Sequence, residues 1–146
     1  MICILYDDLY PKDEWNFVFG LASSMKRTGV FSFARYKAPF IPEAEDTQNK
    51  LLYRALKVMT HEIGHMFNLK HCIYYKCLMN GSNHFEEFES KPGYLCGICL
   101  RKLQLAIGFV CQEREKLLCE ECQKNGNEFA QTSGFYLSRL KFFENK

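Results

Sequence analysis

The sequence predicts a mixed α/β (α+β) fold, on three observations. Short runs rich in aromatic and β-branched residues, separated by turn signals, fill residues 1–36. One long amphipathic helix pattern follows them. Eight cysteines are present, and four of them fall in two close pairs after that helix. With 146 residues, 47% of them hydrophobic and 15% aromatic, the chain has material for one packed core but not for two large ones.

Taken in order, residues 2–6 (ICILY) read as a strand, and Asp7, Asp8 and Pro11 mark a loop. Residues 15–21 (WNFVFGL) are a second strand, and residues 23–29 (SSMKRTG) a turn. Residues 30–36 (VFSFARY) are a third strand, with Phe31, Phe33 and Arg35 on one face and Ser32 and Ala34 on the other. Pro39 and Pro42 close that segment, and residues 42–46 (PEAED) lead into the helix. Asp46 or Thr47 caps it, because either side chain can accept from the orphan amides of the first turn. Leu52, Ala55, Leu56, Met59, Ile63 and Met66 recur at three and four residues and form one apolar stripe, with His61 and His65 off it. The helix ends near Phe67 and Asn68. Irregular chain is expected to about Tyr94, then a helix over residues 99–109 on Leu100, Leu103 and Ile107. In the tail, residues 113–124 look helical, residues 125–127 (NGN) are a turn, and residues 135–143 are a helix or a strand.

A net charge of +2 with no long basic run points away from nucleic acid and anionic membrane as partners. No run of roughly 18 apolar residues suggests a transmembrane helix. The first residues lack a basic leader and turn acidic at once, which makes a poor signal peptide. An intracellular, cytoplasmic or nuclear, reducing location is therefore expected, and there cysteines serve as metal ligands or free thiols rather than disulfides.

The chemistry concentrates in residues 61–72, HEIGHMFNLKHC. His61 and His65 lie one helical turn apart, so both imidazoles can reach one ion, with Glu62 beside them. A zinc site of this kind uses three protein ligands and keeps one position open. His71 can join only if the chain reverses sharply after Phe67. Glycine usually makes such a turn, but Asn68 occupies the position, and asparagine enters the left-handed region more readily than most residues. The turn is expected to survive. The competing reading is a helix with surface histidines that bind nothing.

Cys72 and Cys77, then Cys96 and Cys99, form two close pairs with the spacing of a closed structural zinc site. Buried thiols or a redox CxxC are the alternatives. Because Cys72 follows His71 directly, an ion held by Cys72 also restrains the third histidine. Met79 is either a hydrophobic base beneath the metal or a core filler. His84 reads as a loop or supporting histidine. Cys111, Cys119 and Cys122 read as free thiols rather than as a further site with Cys3.

The long histidine motif with its adjoining cysteine, the CLM segment at residues 77–79 and CGIC at residues 96–99 together resemble the archaemetzincins, metzincin-clan zinc metallopeptidases. WNFVFG, FSFARY and NGSNHFEE bring the likeness closest to vertebrate members, over roughly residues 6–110. The resemblance implies a metzincin-like twisted sheet with an active-site helix, above a cysteine-rich, zinc-stabilised lower part. It implies two zinc ions per chain. His61, His65 and His71 would hold the catalytic one, with Glu62 as general base, and Cys72, Cys77, Cys96 and Cys99 the structural one. It further implies Met79 as the Met-turn residue, and residues 30–36 as the strand that borders the cleft and pairs with an extended peptide substrate. Small peptides, cut from the amino end as by an aminopeptidase, are the implied substrates.

The expected organisation is a single metallopeptidase domain over 1–146: an upper part over 1–70, a lower zinc-binding part over 71–110 and an unassigned tail over 111–146. Only 60 residues precede His61, where family members carry further strand and helix, so an incomplete sheet with an exposed edge is expected. A zinc-dependent peptidase is the leading reading. A catalytically inactive zinc-binding module or short isoform, and a hydrolase of non-peptide amides, are the alternatives. No protein partner is indicated.

Overall fold

A computed structural model describes residues 1–14, 16–36, 39–41 and 47–145. The chain divides into two compact units, Met1–Lys70 and His71–Lys146.

The first unit holds a three-stranded sheet and one long helix. Strand β1 (Ile2–Leu5), β2 (Gly20–Ser23) and β3 (Thr28–Ser32) lie in the order β1-β3-β2. β3 runs parallel to β1, with Cys3 opposite Val30, and antiparallel to β2, with Leu21 opposite Val30. The reversal between β2 and β3 is narrower than expected. Ser23 and Thr28 still pair, and Arg27 takes a left-handed φ of 48° in the turn. That register ends the ladder at Gly20, so β2 starts later than the expected residue 15; Trp15 itself lies outside the described residues.

Two expectations for residues 30–36 are corrected. The strand stops at Ser32, and Ala34–Tyr36 form a 3-10 turn. The Ser32 hydroxyl explains the break: it donates to the Asp7 carbonyl at 2.6 Å and accepts from the Ala34 amide at 3.2 Å. Arg35 then leaves the sheet. Its guanidinium donates twice to Asp8, at 2.8 and 2.7 Å, and lies over the rings of Phe17 at 3.8 Å and Phe40 at 4.7 Å. Moreover, β3 is the central strand, hydrogen-bonded on both sides, so it has no free edge for a substrate. Among the described residues the outer strands are β1 and β2. β1 leaves Ile2 and Ile4 44% and 48% exposed.

Helix α1 (Gln48–Met66) is capped by Thr47, whose side chain accepts from the Lys50 amide; the other cap candidate, Asp46, lies outside the described residues, as does the PEAED lead. Its buried face is rotated from the expected stripe. Leu52 is 40% exposed, whereas Arg54, Lys57, His61 and Glu62 are buried with Ala55, Val58 and Met66. Apolar periodicity located the helix but not the direction it faces, because part of the covered surface is polar.

The helix ends as the sequence required. Phe67 closes it, and Asn68 takes a φ of 69°. The Asn68 amide donates to the His65 carbonyl at 2.9 Å and the Leu69 amide to the Gly64 carbonyl at 3.0 Å. This nested pair is a Schellman turn.

Among the described residues the second unit carries four α-helices: α2 (Phe85–Ser90), α3 (Gly97–Ile107), α4 (Cys111–Lys124) and α5 (Ala130–Glu144). α2 was not expected. His84 caps it, its Nδ1 accepting from the Glu87 amide at 3.5 Å, and also lies 2.9 Å from Glu86. α3 starts two residues earlier than expected and stops before Phe109, at Gly108 with a φ of 81°. The tail resolves into a helical pair. Gly126 at φ 91° sits in the connection, and the last segment is a helix, not a strand. Glu115 on α4 is fully buried, 3.3 Å from Arg114 and 3.4 Å from Arg139 of α5, and burial raises its pKa against the pull of both cations. Phe135 of α5 stacks on Tyr94 at 3.6 Å with an interplanar angle of 5°.

Residue 68 gives a direct test of the turn. Asn68→Val is expected to lower the unfolding free energy by roughly 1–2 kcal/mol through the left-handed penalty, whereas Asn68→Gly leaves it unchanged or higher. Urea unfolding followed by circular dichroism measures both, and equal stabilities for the valine and glycine variants would contradict the geometry.

Candidate metal centres

Among the described residues, two groups of side chains stand close enough to share an ion: His61, His65 and His71, and Cys72, Cys77, Cys96 and Cys99. Within each group the ligand atoms all lie within 4.8 Å of one another.

In the histidine group, α1 places His61 and His65 on one face, with their Nε2 atoms 3.1 Å apart and their rings at 90°. Two nitrogens on a tetrahedral zinc stand about 3.3 Å apart, given bond lengths near 2.0–2.1 Å. The Schellman turn also orients His65. It brings the Leu69 carbonyl to 2.6 Å from His65 Nδ1, which donates to it and leaves the Nε2 lone pair for an ion.

Glu62 is buried, with 7% of its surface exposed, on the same helix as His61. A residue missed at the sequence level explains its seat. Gly20 of β2 lies against the carboxylate arm: a Cβ there would stand 2.6 Å from Glu62 Cγ and 3.0 Å from Cδ. No real Cβ tolerates that approach, so Gly20 lets the outer strand β2 close onto Glu62. A glycine ending an aromatic run was the available signal, but a period-two pattern gives it no meaning.

The cysteine group is built from two loops and a helix start. All four cysteines are free and buried. Cys72 and Cys96 Sγ are 3.9 Å apart, far beyond a disulfide and close to the roughly 3.8 Å edge of a zinc–thiolate tetrahedron with 2.3 Å bonds. Backbone amides point at the sulfurs. Cys77 Sγ accepts from Met79 at 3.4 Å and from Cys96 at 3.2 Å, and Cys96, the cap of α3, accepts from Cys99 at 3.5 Å.

Burial pushes the Cys77 thiol up to about 11 and raises Cys99 further, with repulsion from Cys77 and Cys96 adding to Cys99. Burial acts the same way on Cys72, but the amides of Tyr74 and Tyr75 and the neighbouring sulfurs outweigh it and lower that thiol. Four crowded sulfurs in this surrounding become thiolates together only with a cation among them. The donor set fits zinc.

Met79 is fully buried in the turn after Cys77. His84 stands apart in the cap of α2, and Cys3, Cys111, Cys119 and Cys122 join neither group. Cys119 instead lies on the Ser133 carbonyl at 3.8 Å, inside the α4–α5 pair.

Comparison with known proteins agrees with this architecture. The family model "Peptidase family M54" matches residues 1–105. Archaemetzincin-2 of Pongo abelii is 47% identical, over 76% of this chain and 38% of its own length. A crystal structure of archaemetzincin from Methanopyrus kandleri superposes with a TM-score of 0.63 at 33% identity, covering 74% of this chain and 56% of that one. That of a zinc-dependent peptidase from Methanocorpusculum labreanum gives 0.62 at 32% identity, covering 70% and 52%. The chain thus spans about two-fifths of the length of the curated archaemetzincin-2 relatives it matches. On the family match and these identities, the chain belongs to peptidase family M54, the archaemetzincins.

Proposed function

We propose that the chain is a zinc-dependent metallopeptidase that hydrolyses peptide bonds. The observation that carries the reading is the pair of Nε2 atoms 3.1 Å apart on α1, with Glu62 seated beside them against β2. His61, His65 and His71 would hold the catalytic zinc, and Cys72, Cys77, Cys96 and Cys99 a structural one, two ions per chain. Bound there, zinc supplies Lewis acidity, polarising a carbonyl and easing the deprotonation of water.

The chain's own residues do the rest. Glu62 Oε1 or Oε2 takes a proton from the attacking water and returns it to the leaving amide nitrogen. His65 is kept in the right tautomer by its bond to the Leu69 carbonyl. Met79, fully buried two residues after Cys77, would be the Met-turn residue that the family likeness implies. β2 takes the substrate role first expected of residues 30–36: it is an outer strand, and its Gly20 touches Glu62, so an extended peptide pairing there would lie across the carboxylate. Cleavage at the amino end is the finer reading, tested with peptides carrying free and acetylated amino termini; equal turnover of both would refute it.

A second reading is a zinc-binding module without catalysis, carried by the four-cysteine group, which as a closed site offers an ion no open position. Metal content and activity separate the two. Elemental analysis is expected to give near two zinc per chain, falling to one or fewer in Cys96→Ser. Glu62→Gln is expected to keep both ions and to lose roughly 10²–10⁴-fold in kcat. A folded, doubly loaded wild-type chain with no turnover on a peptide library would favour the module.

Gly20→Ala tests the seat of Glu62 separately. The added Cβ must displace the carboxylate arm, so at least a tenfold loss in kcat with zinc content unchanged is expected. Full activity would show that β2 does not fix the base.

A further inference from the structure

We propose that Asn80 and Gly81 couple the two metal centres, so that the histidine centre takes up its ion tightly only when the cysteine centre is filled. The proposal rests on the two-centre reading above.

One short turn after Cys77 grips both residues 71 and 72. The Asn80 side chain makes three hydrogen bonds. Its Oδ1 accepts from the Cys77 amide at 2.8 Å, and its Nδ2 donates to the carbonyls of Cys72 at 2.6 Å and Tyr75 at 2.9 Å. The backbone tightens the same link: the Cys72 amide donates to the Met79 carbonyl at 2.8 Å, and the Asn80 amide to the Cys77 carbonyl at 3.0 Å. Gly81 then lies close to the neighbouring imidazole. A Cβ at residue 81 would stand 3.1 Å from His71 Nδ1 and 3.4 Å from Cε1.

A turn that needed only to reverse the chain would accept aspartate, serine or glycine at residue 80. Here one planar amide supplies an acceptor to one end of the loop over residues 72–77 and donors to its other end and its middle. Aspartate lacks the donors. The turn thus runs from Cys77, a member of the thiolate group, to the carbonyl of Cys72, another member, and to the ring of His71, a member of the imidazole group. Filling the thiolate centre fixes both ends of the loop Asn80 spans, and with them the backbone that carries His71. The imidazole centre then meets a preset third ligand instead of having to order it. Coupling of this kind is reciprocal and commonly amounts to about 5–150-fold in affinity.

Cobalt(II) titration of the full chain, stripped of metal under reducing conditions, reads the two centres apart. Cobalt bound to thiolates gives intense near-ultraviolet charge-transfer absorption; cobalt on imidazoles gives only weak visible bands. The wild type is expected to saturate the charge-transfer band with the first equivalent and the imidazole signal with the second. In Asn80→Ala the charge-transfer band should keep its final intensity, while affinity at the imidazole centre falls at least tenfold. Asn80→Asp should behave like the alanine variant.

Gly81→Ala is the second, independent variant, because its backbone φ is not among the positive ones and alanine is compatible with it. It should weaken the imidazole centre and leave the thiolate band untouched. A purely structural role would weaken both centres together. Unchanged imidazole affinity in both Asn80→Ala and Gly81→Ala, with both wild-type signals present, overturns the coupling alone. Absence of the charge-transfer band in the wild type overturns the two-centre reading and the coupling with it.

Discussion

The reversal at Asn68 is the constraint on which the candidate chemistry depends. A helix can offer one ion two ligands at i and i+4, but its next turn points elsewhere. The third histidine needs the chain to leave the helix axis within a few residues, and a left-handed residue does this in one step. Asn68 adopts that conformation, and the two nested amide bonds behind it close the helix. One of the groups released by the turn, the Leu69 carbonyl, then accepts from His65. A local backbone event therefore ends α1, orients His65 and delivers His71 and Cys72 in succession.

The parts of the fold legible in the sequence were those whose signals are local. The extent of α1, the cap at Thr47, the left-handed turn at Asn68 and the two groups of close histidines and cysteines all follow from spacing along a few residues. The strand limits were not legible, because pairing partners decide them. Ser32 ends β3 through a bond to Asp7, 25 residues away, and Arg35 leaves the sheet for Asp8. The helical tail was ambiguous for a related reason. Its core is polar and aromatic, Glu115 between two arginines and Phe135 on Tyr94, so apolar periodicity describes it poorly.

The rotated burial of α1 belongs with this. Functional helices hide charged and imidazole groups, and a count of apolar residues then reads the face wrongly. Arg54, Lys57, His61 and Glu62 are all buried on α1, while Leu52 remains exposed. Such inversions of the usual pattern are where reading a helix face from apolar periodicity fails.

The contact between Gly20 and Glu62 has an evolutionary consequence. Residue 20 is on a strand, where a larger side chain would ordinarily be neutral or welcome. Here any replacement by an L-residue places its first carbon on the arm of the carboxylate. A drift at residue 20 would leave the strand standing and bear on the seat of Glu62, so on the proposed reading it would cost chemistry before it cost the fold.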